Sequence, residues 1–242
     1  MKKIFVSTPL DTEIIIPKET THHLITVFRH NIEKPILVSS SEGGTATYRI
    51  LEVVDGEAKA KRIGEVTTTE TEEIEIVLVQ AFLKADKLEW VLQKATELNV
   101  HTVYAVPMKH CVAQYKADKL PQKVERWQKI MKEAAQQCGR EQLPQLVVQQ
   151  SVADVLANEV EQDTLVLVAY ENESSHTLKE ALQGNSNQRV LIIIGPEGGL
   201  SEEEVLQMTE VGAQVVTLGS TILRAETAAI SAVSMLQYEL NM

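Results

Sequence analysis

The chain lacks the signals of a secreted, membrane-bound or metal-stabilised protein. Only two cysteines, Cys111 and Cys138, occur in 242 residues. They form no disulfide framework and no metal-ligand pattern, so a reducing, cytoplasmic setting without a metal is expected. His22 and His23 likewise have no cysteine or carboxylate at ligand spacing. No apolar run approaches the roughly 18 to 20 residues of a membrane helix. The start, MKKIFVSTPLDTEIII, carries two lysines but no sustained apolar core, so no signal peptide is expected. G-x-G-x-x-G after the early strands and the P-loop are both missing, which argues against dehydrogenases and triphosphate enzymes. Positive charge is scarce as well. Lys and Arg number 23 against 34 Asp and Glu, giving a net charge of -11 and a pI near 5.1. Bulk, non-specific polyanion binding is disfavoured, because it scales with the phosphates neutralised.

What is present is a globular composition, 44% hydrophobic, in a length that suits one large domain or two smaller ones. The charge is unevenly spread. Residues 84–140 hold 11 Lys/Arg against 6 Asp/Glu, a net of +5, while residues 141–242 hold 3 against 15, a net of -12. The basic middle admits a local nucleic-acid face and equally a solvated helix pair.

Residues 1–72 show short apolar pieces, IFVS, EIII, ILVS, TYRILEVV and AKAKRIGEV, broken by Gly43-Gly44 and Asp55-Gly56. Close spacing of short strands predicts a small barrel, with one short helix near TTHHLITVFR. The run TTTETEE, residues 67–73, has no apolar residue and reads as a linker. From residue 74 strands and helices alternate. IEIVLVQAFL, TVYAVP, TLVLVAY, RVLIIIG and QVVTLG read as strands, and near-continuous apolar runs of this kind suit strands buried on both faces. Leu88, Val91, Leu92, Ala95 and Leu98 share a helical stripe. A second helix covers 119–138 with Gly139 as its stop, and a last one buries Ala229, Val233, Leu236 and Leu240. The alternation predicts a mostly parallel α/β sheet.

Two segments carry chemistry. In IIIGPEGGLSEEE, residues 192–204, a buried strand runs into Gly195, Pro196, Glu197, Gly198 and Gly199, and a helix then starts with Ser201 and Glu204 as a capping box. Ligands of open α/β sheets bind at the carboxyl ends of strands, and paired glycines admit close approach to the backbone. An ordinary strand-to-helix turn is the plain alternative, but Glu197 has no evident packing role in it. In QVVTLGSTILRAETAAISAV, residues 214–233, a strand ends at Leu218-Gly219 and a helix is led by Arg224, Glu226 and Thr227. Glu226 and Thr227 are natural capping residues. Arg224 is a cation where the helix dipole disfavours one, which is more easily explained by an anionic ligand.

GPEGG after a buried strand, followed by LGSTILRAETA before the last helix, resembles the signatures of RsmE-type enzymes in the SPOUT superfamily. HHLITVFR, KADKLEWVLQKATELNV and EAAQQCGREQLP extend the resemblance over nearly the whole chain. One departure lies at PMKHCV, residues 107–112, where the family pattern has an arginine-serine pair and this chain has His110-Cys111. The resemblance implies an N-terminal PUA-like β-barrel over 1–72, serving RNA binding, and a trefoil-knotted, parallel α/β SPOUT domain over 73–242. It implies a homodimer, and S-adenosylmethionine held by the 195–199 loop with Leu218, Gly219, Ile222, Leu223 and Thr227. It implies methylation of N3 of a uridine, uridine 1498, in 16S rRNA of the small ribosomal subunit. Arg224 and Glu226 are the catalytic candidates, one stabilising charge on the uracil and one orienting or accepting a proton. Arg29, Lys84, Lys87, Lys109 and Arg140 are candidate RNA contacts, each with a solvated or helix-capping cation as its plain alternative. A non-catalytic PUA-type RNA-binding protein, and a SPOUT enzyme acting on another RNA, are the competing readings.

Overall fold

The computed structural model describes residues 1–40, 43–68 and 73–242. They divide into two compact units, one of Met1–Thr71 with Lys132–Leu143 and one of Glu72–Met131 with Pro144–Met242.

In the first unit the short apolar pieces become β1 (Lys2–Val6), β2 (Glu13–Ile16), β3 (Ile36–Ser40), β4 (Thr45–Val54) and β5 (Glu57–Arg62). Their order is β1-β3-β4-β5-β2. Only β1 and β3 run parallel; the other pairs are antiparallel. The barrel expected here is a half-barrel with β1 and β2 at its edges. Asp55 and Gly56, at φ +51° and +86°, close the β4–β5 hairpin in the doubly left-handed geometry that suits the twist of the strands. Ile4, Ile16, Ile36, Val38, Tyr48 and Ala60 form the core, and the Tyr48 hydroxyl donates to the Asp11 carbonyl at 2.6 Å. The expected short helix begins as α1 (Lys18–His22) and widens to a π-helical turn over His23–Val27. Of the expected linker 67–73, residues 69–72 lie outside the described residues. Buried Lys3 donates from Nζ to the carbonyls of Gly139 and Arg140 at 3.1 and 2.8 Å, which ties residues 132–143 into this unit.

The second unit holds β6 (Glu75–Ala81), α2 (Lys87–Glu97), β7 (Thr102–Val106), most of α3 (Leu120–Cys138), β8 (Gln145–Val148), α4 (Val152–Glu159), β9 (Thr164–Ala169), α5 (Leu178–Leu182), β10 (Arg189–Ile194), α6 (Glu202–Glu210), β11 (Gln214–Val216) and α7 (Ala225–Asn241). The six strands are all parallel, in the order β11-β9-β10-β6-β7-β8. Both faces are covered, as continuous apolar strands require. Ile76, Leu78 and Ile192 pack with Leu88, Leu92, Ala229 and Val233 on one side. Val77, Val79, Leu191 and Ile193 pack with Val155, Val205 and Met208 on the other. Register decides where the site falls. Ile194 of β10 is level with Ala169 of β9, and Ala169 is level with Val216 of β11, so three strands end on one rung and release their loops at one edge.

Ile192 is fully buried and lies between Leu78 and Leu167 on the neighbouring strands. Ile192→Ala should cost about 2–5 kcal/mol through lost burial and the cavity left behind. Urea unfolding checks this, and a loss below about 1 kcal/mol would mean that the central strand does not set stability.

Candidate active site

After β10, Gly199 N–H closes a tight turn onto the Pro196 carbonyl at 3.0 Å. Ser201 then caps α6. Its hydroxyl accepts from Glu204 N, while the Glu204 carboxylate accepts from Ser201 N at 3.0 Å, the reciprocal box expected from the sequence. The glycines have a different immediate reason from the one expected. A Cβ on Gly198 would lie 2.8 Å from the backbone oxygen and Cβ of His110, while Gly199, at φ +75°, is held in a left-handed turn that disfavours a side chain. At Gly198 the 107–112 loop already occupies the space that a side chain would need.

His110 belongs to the 107–112 loop, where the sequence departs from the family pattern. Its Nδ1 is 3.3 Å from the Gly199 carbonyl oxygen. The Cys111 sulfur accepts from Met108 N at 3.2 Å, and burial pushes its thiol pKa up. Lys109 N donates to Glu204 Oε1 at 2.8 Å, and Lys109 Nζ meets Glu203 at 3.0 Å. Burial alone would raise the Glu204 pKa. The N–H groups of Lys109 and Ser201, with the Ser201 hydroxyl, outweigh it and hold the carboxyl below its usual range. Lys109, a candidate RNA contact from the sequence, carries its exposed ammonium beside α6.

Glu197 points toward α2. Its Oε1 accepts from Lys84 N at 3.0 Å and lies 3.5 Å from Lys87 Nζ. Burial opposes the charge on Glu197, but these donors keep its pKa below the ordinary value. Lys87 Nζ is also 3.3 Å from Glu226 Oε2. Arg224 occupies the N-cap of α7 without a side-chain cap bond. Its exposed guanidinium makes no hydrogen bond or ion pair among the described residues, and the arginine lines the cavity described next.

That cavity, about 770 Å³, opens at the common strand edge. Of the residues nominated from the sequence, Gly195, Pro196, Glu197, Gly199, Leu218, Gly219, Ile222, Leu223, Arg224 and Lys87 line it. Gly198, Glu226 and Thr227 do not. Gly198 is covered by His110, Glu226 is turned to Lys87, and Thr227 is exposed on the first turn of α7. Lys84 is exposed beside Glu197. Arg29, at φ +49°, and Arg140 belong to the first unit.

The sequence reading missed the third wall. Tyr170, Glu171, Glu173, Ser174 and Thr177 follow β9 and line the same cavity. Tyr170 N–H bonds the Val216 carbonyl, Thr217 N–H the His176 carbonyl, and Leu178 N–H the Thr217 carbonyl, zipping this loop to β11. Within the loop the Ser175 hydroxyl and the Ser175 and His176 N–H groups donate to Glu173, whose pKa falls to about 2. A signal existed in the polar stretch ENESSH directly after a buried strand, at the carboxyl end where α/β sheets bind ligands.

A parallel α/β sheet with a cavity at its carboxyl edge defines a class. The sequence profile of the RNA methyltransferase domain matches residues 70–237. The chain is 33% identical to ribosomal RNA small subunit methyltransferase E of Bacillus subtilis over 93% of this chain and 89% of the relative. It is 30% identical to the enzyme of that name from Mesomycoplasma hyopneumoniae over 95% and 96%. The crystal structure of ribosomal RNA small subunit methyltransferase E from Neisseria gonorrhoeae bound to S-adenosyl methionine superimposes with a TM-score of 0.86 at 27% identity, over 98% of this chain and 97% of that one. The chain belongs to the ribosomal RNA small subunit methyltransferase E family, within the SPOUT-type enzymes. No helix among the described residues is long and apolar enough to cross a membrane.

Gly199→Val introduces a Cβ into the space of the Glu171 carboxylate at a left-handed φ. It should distort both cavity walls and abolish S-adenosylmethionine binding in calorimetry, with a melting temperature lowered by a few degrees. Wild-type affinity in that variant would show that these walls do not form the binding site.

Proposed function

We propose that the cavity binds S-adenosylmethionine and that the protein methylates N3 of a uridine, the family's uridine 1498, in 16S rRNA of the small ribosomal subunit. The observation that carries this reading is the convergence of three loops, after β9, β10 and β11, on one cavity of a volume typical for small-molecule sites. The lining fits the donor. Glu171, Glu173 and Glu197 bring three carboxylates against the two cations Lys87 and Arg224, which suits a ligand carrying a sulfonium and an ammonium group. Ile194, Leu218, Leu223 and Ala228 supply apolar wall. The donor, when bound, supplies an electrophilic methyl group to the nucleophile. N3 must first lose its proton, to a solvent water, which leaves negative charge shared between N3 and the uracil oxygens; the N3–carbon bond then forms as the donor's sulfur–methyl bond breaks, and S-adenosylhomocysteine leaves as a neutral thioether. Arg224, lining the cavity without a partner among the described residues, is placed to meet that charge. Glu226 is paired to Lys87 and makes no ion pair with Arg224, so we assign it to holding the α7 terminus.

Arg29, Lys84 and Arg140 are proposed RNA contacts, with the half-barrel unit as the main RNA-holding element. A homodimer belongs to the same reading, since α7 leaves Met235 and Tyr238 exposed, at 42% and 71%, where a second copy would cover them. Mass spectrometry of rRNA nucleosides from a strain lacking the gene tests the reaction. Loss of 3-methyluridine from 16S rRNA is expected, and an unchanged amount would overturn it.

Arg224→Ala should leave the melting temperature nearly unchanged or slightly raised, since the helix dipole disfavours a cation there. Single-turnover methylation should slow roughly a hundredfold or more, about 3 kcal/mol of transition-state stabilisation. Donor affinity should change far less, because the charge that Arg224 meets arises on the deprotonated uracil and not on the donor. Arg224→Lys should rescue poorly, lacking the planar fork. A large fall in melting temperature with an unchanged rate per folded molecule would make Arg224 a structural residue.

A further inference from the structure

Lys87 and Lys94 lie on α2 and Lys84 just precedes it, and from the sequence Lys84 and Lys87 are candidate RNA contacts. The structure separates the three. Lys94 Nζ is 2.7 Å from Glu97 and 4.7 Å from the centre of the Trp90 ring. The Lys84 ammonium has no partner among the described residues. Lys87 is turned inward between two carboxylates on different elements, Glu197 of the loop after β10 at 3.5 Å and Glu226 of α7 at 3.3 Å. All three side chains are largely withdrawn from solvent, at 32%, 20% and 17% exposure.

We propose that Lys87 is a positioning residue, the shared counter-ion that holds the first turn of α7, capped by Arg224, against the Gly195–Gly199 loop. The two carboxylates depend on it unequally. Glu197 keeps a second donor in Lys84 N. Glu226 Oε2 is buried and has no hydrogen bond of regular geometry among the described residues, so Lys87 supplies its only opposite charge there. Removing one partner of a desolvated pair leaves the other uncompensated, which damages structure far more than losing an exposed surface pair. Without Lys87 the two carboxylates would also face each other across the cavity edge with no cation between them. The first turn of α7 would loosen, and the backbone that carries Arg224 at the cavity edge would loosen with it.

The test compares Lys87→Met, Lys87→Arg and wild type by amide hydrogen exchange. The Met variant should exchange faster, about tenfold or more, at residues 228–232 of α7 and 199–201 of the loop, with the sheet amides unchanged; the Arg variant should stay near wild type. Exchange altered only within α2, or nowhere, would overturn the proposal. This arm needs no methyl transfer, so it decides the role of Lys87 even if the proposed reaction fails. A kinetic arm rests on that reaction. In Lys87→Met the single-turnover rate at saturating RNA should fall at least tenfold while the salt dependence of RNA binding keeps its slope. Lys84→Ala, at a proposed phosphate contact, should instead lower that slope by about one. That second signature in Lys87→Met would make it an RNA contact and sink the positioning role.

Discussion

Ile194, Ala169 and Val216 lie level across three adjacent parallel strands, and the backbone hydrogen bonds that fix this register decide where the chain can do chemistry. In a parallel sheet all strands deliver their loops in one direction. Because β9, β10 and β11 also stop on the same rung, their loops cannot avoid one another. The loop after β9 zips onto β11 through three backbone hydrogen bonds. The loop after β10 is held from below by the Ser201–Glu204 box and from the side by His110. The cavity is what remains between them. Glycine at 198 follows from this crowding, since the His110 backbone already stands where a side chain would be, and glycine at 199 follows from the left-handed turn.

Net charge gives little guide to this site. Residues 141–242 are strongly acidic, yet many of those carboxylates are committed locally. Glu180 and Glu204 close capping boxes, Glu173 gathers the N–H groups of its own loop, and Glu159 pairs with Arg189. Glu197 and Glu226 flank Lys87. The acidic surface is thus partly an inventory of caps and pairs, each satisfying backbone donors or a cation that would otherwise be orphaned. Against that background the Arg224 guanidinium stands out, unpaired among the described residues.

The parallel sheet, the two helices packed on it and the GPEGG and LGSTILRAETA segments were legible because long apolar runs and capping chemistry are local properties. Leu88, Val91, Leu92 and Ala95 on one stripe could face only a core, and they do. β8, α4 and α5 were not read, being an edge strand of four residues and helices of eight and five, too short for periodicity to register. Ser151 and the Thr177–Glu180 box did mark the two helix starts. The partners of Lys87, Lys109 and Glu226 were illegible for another reason. A lysine on a helix face looks the same in sequence whether it meets a phosphate or a carboxylate a hundred residues away. Likewise, nothing local says that residues 132–143 join the first unit, because that follows from the Lys3 ammonium reaching Gly139 and Arg140.

The central claim is that loops released at one sheet edge build the donor site. A crystal structure of this protein grown with S-adenosylmethionine tests it most directly. The account predicts the donor within the cavity, against the backbone of residues 195–199 and 217–223 and within reach of the 170–177 loop, with Arg224 at the open side. Donor bound at the opposite edge of the sheet, or on the half-barrel unit, would contradict it.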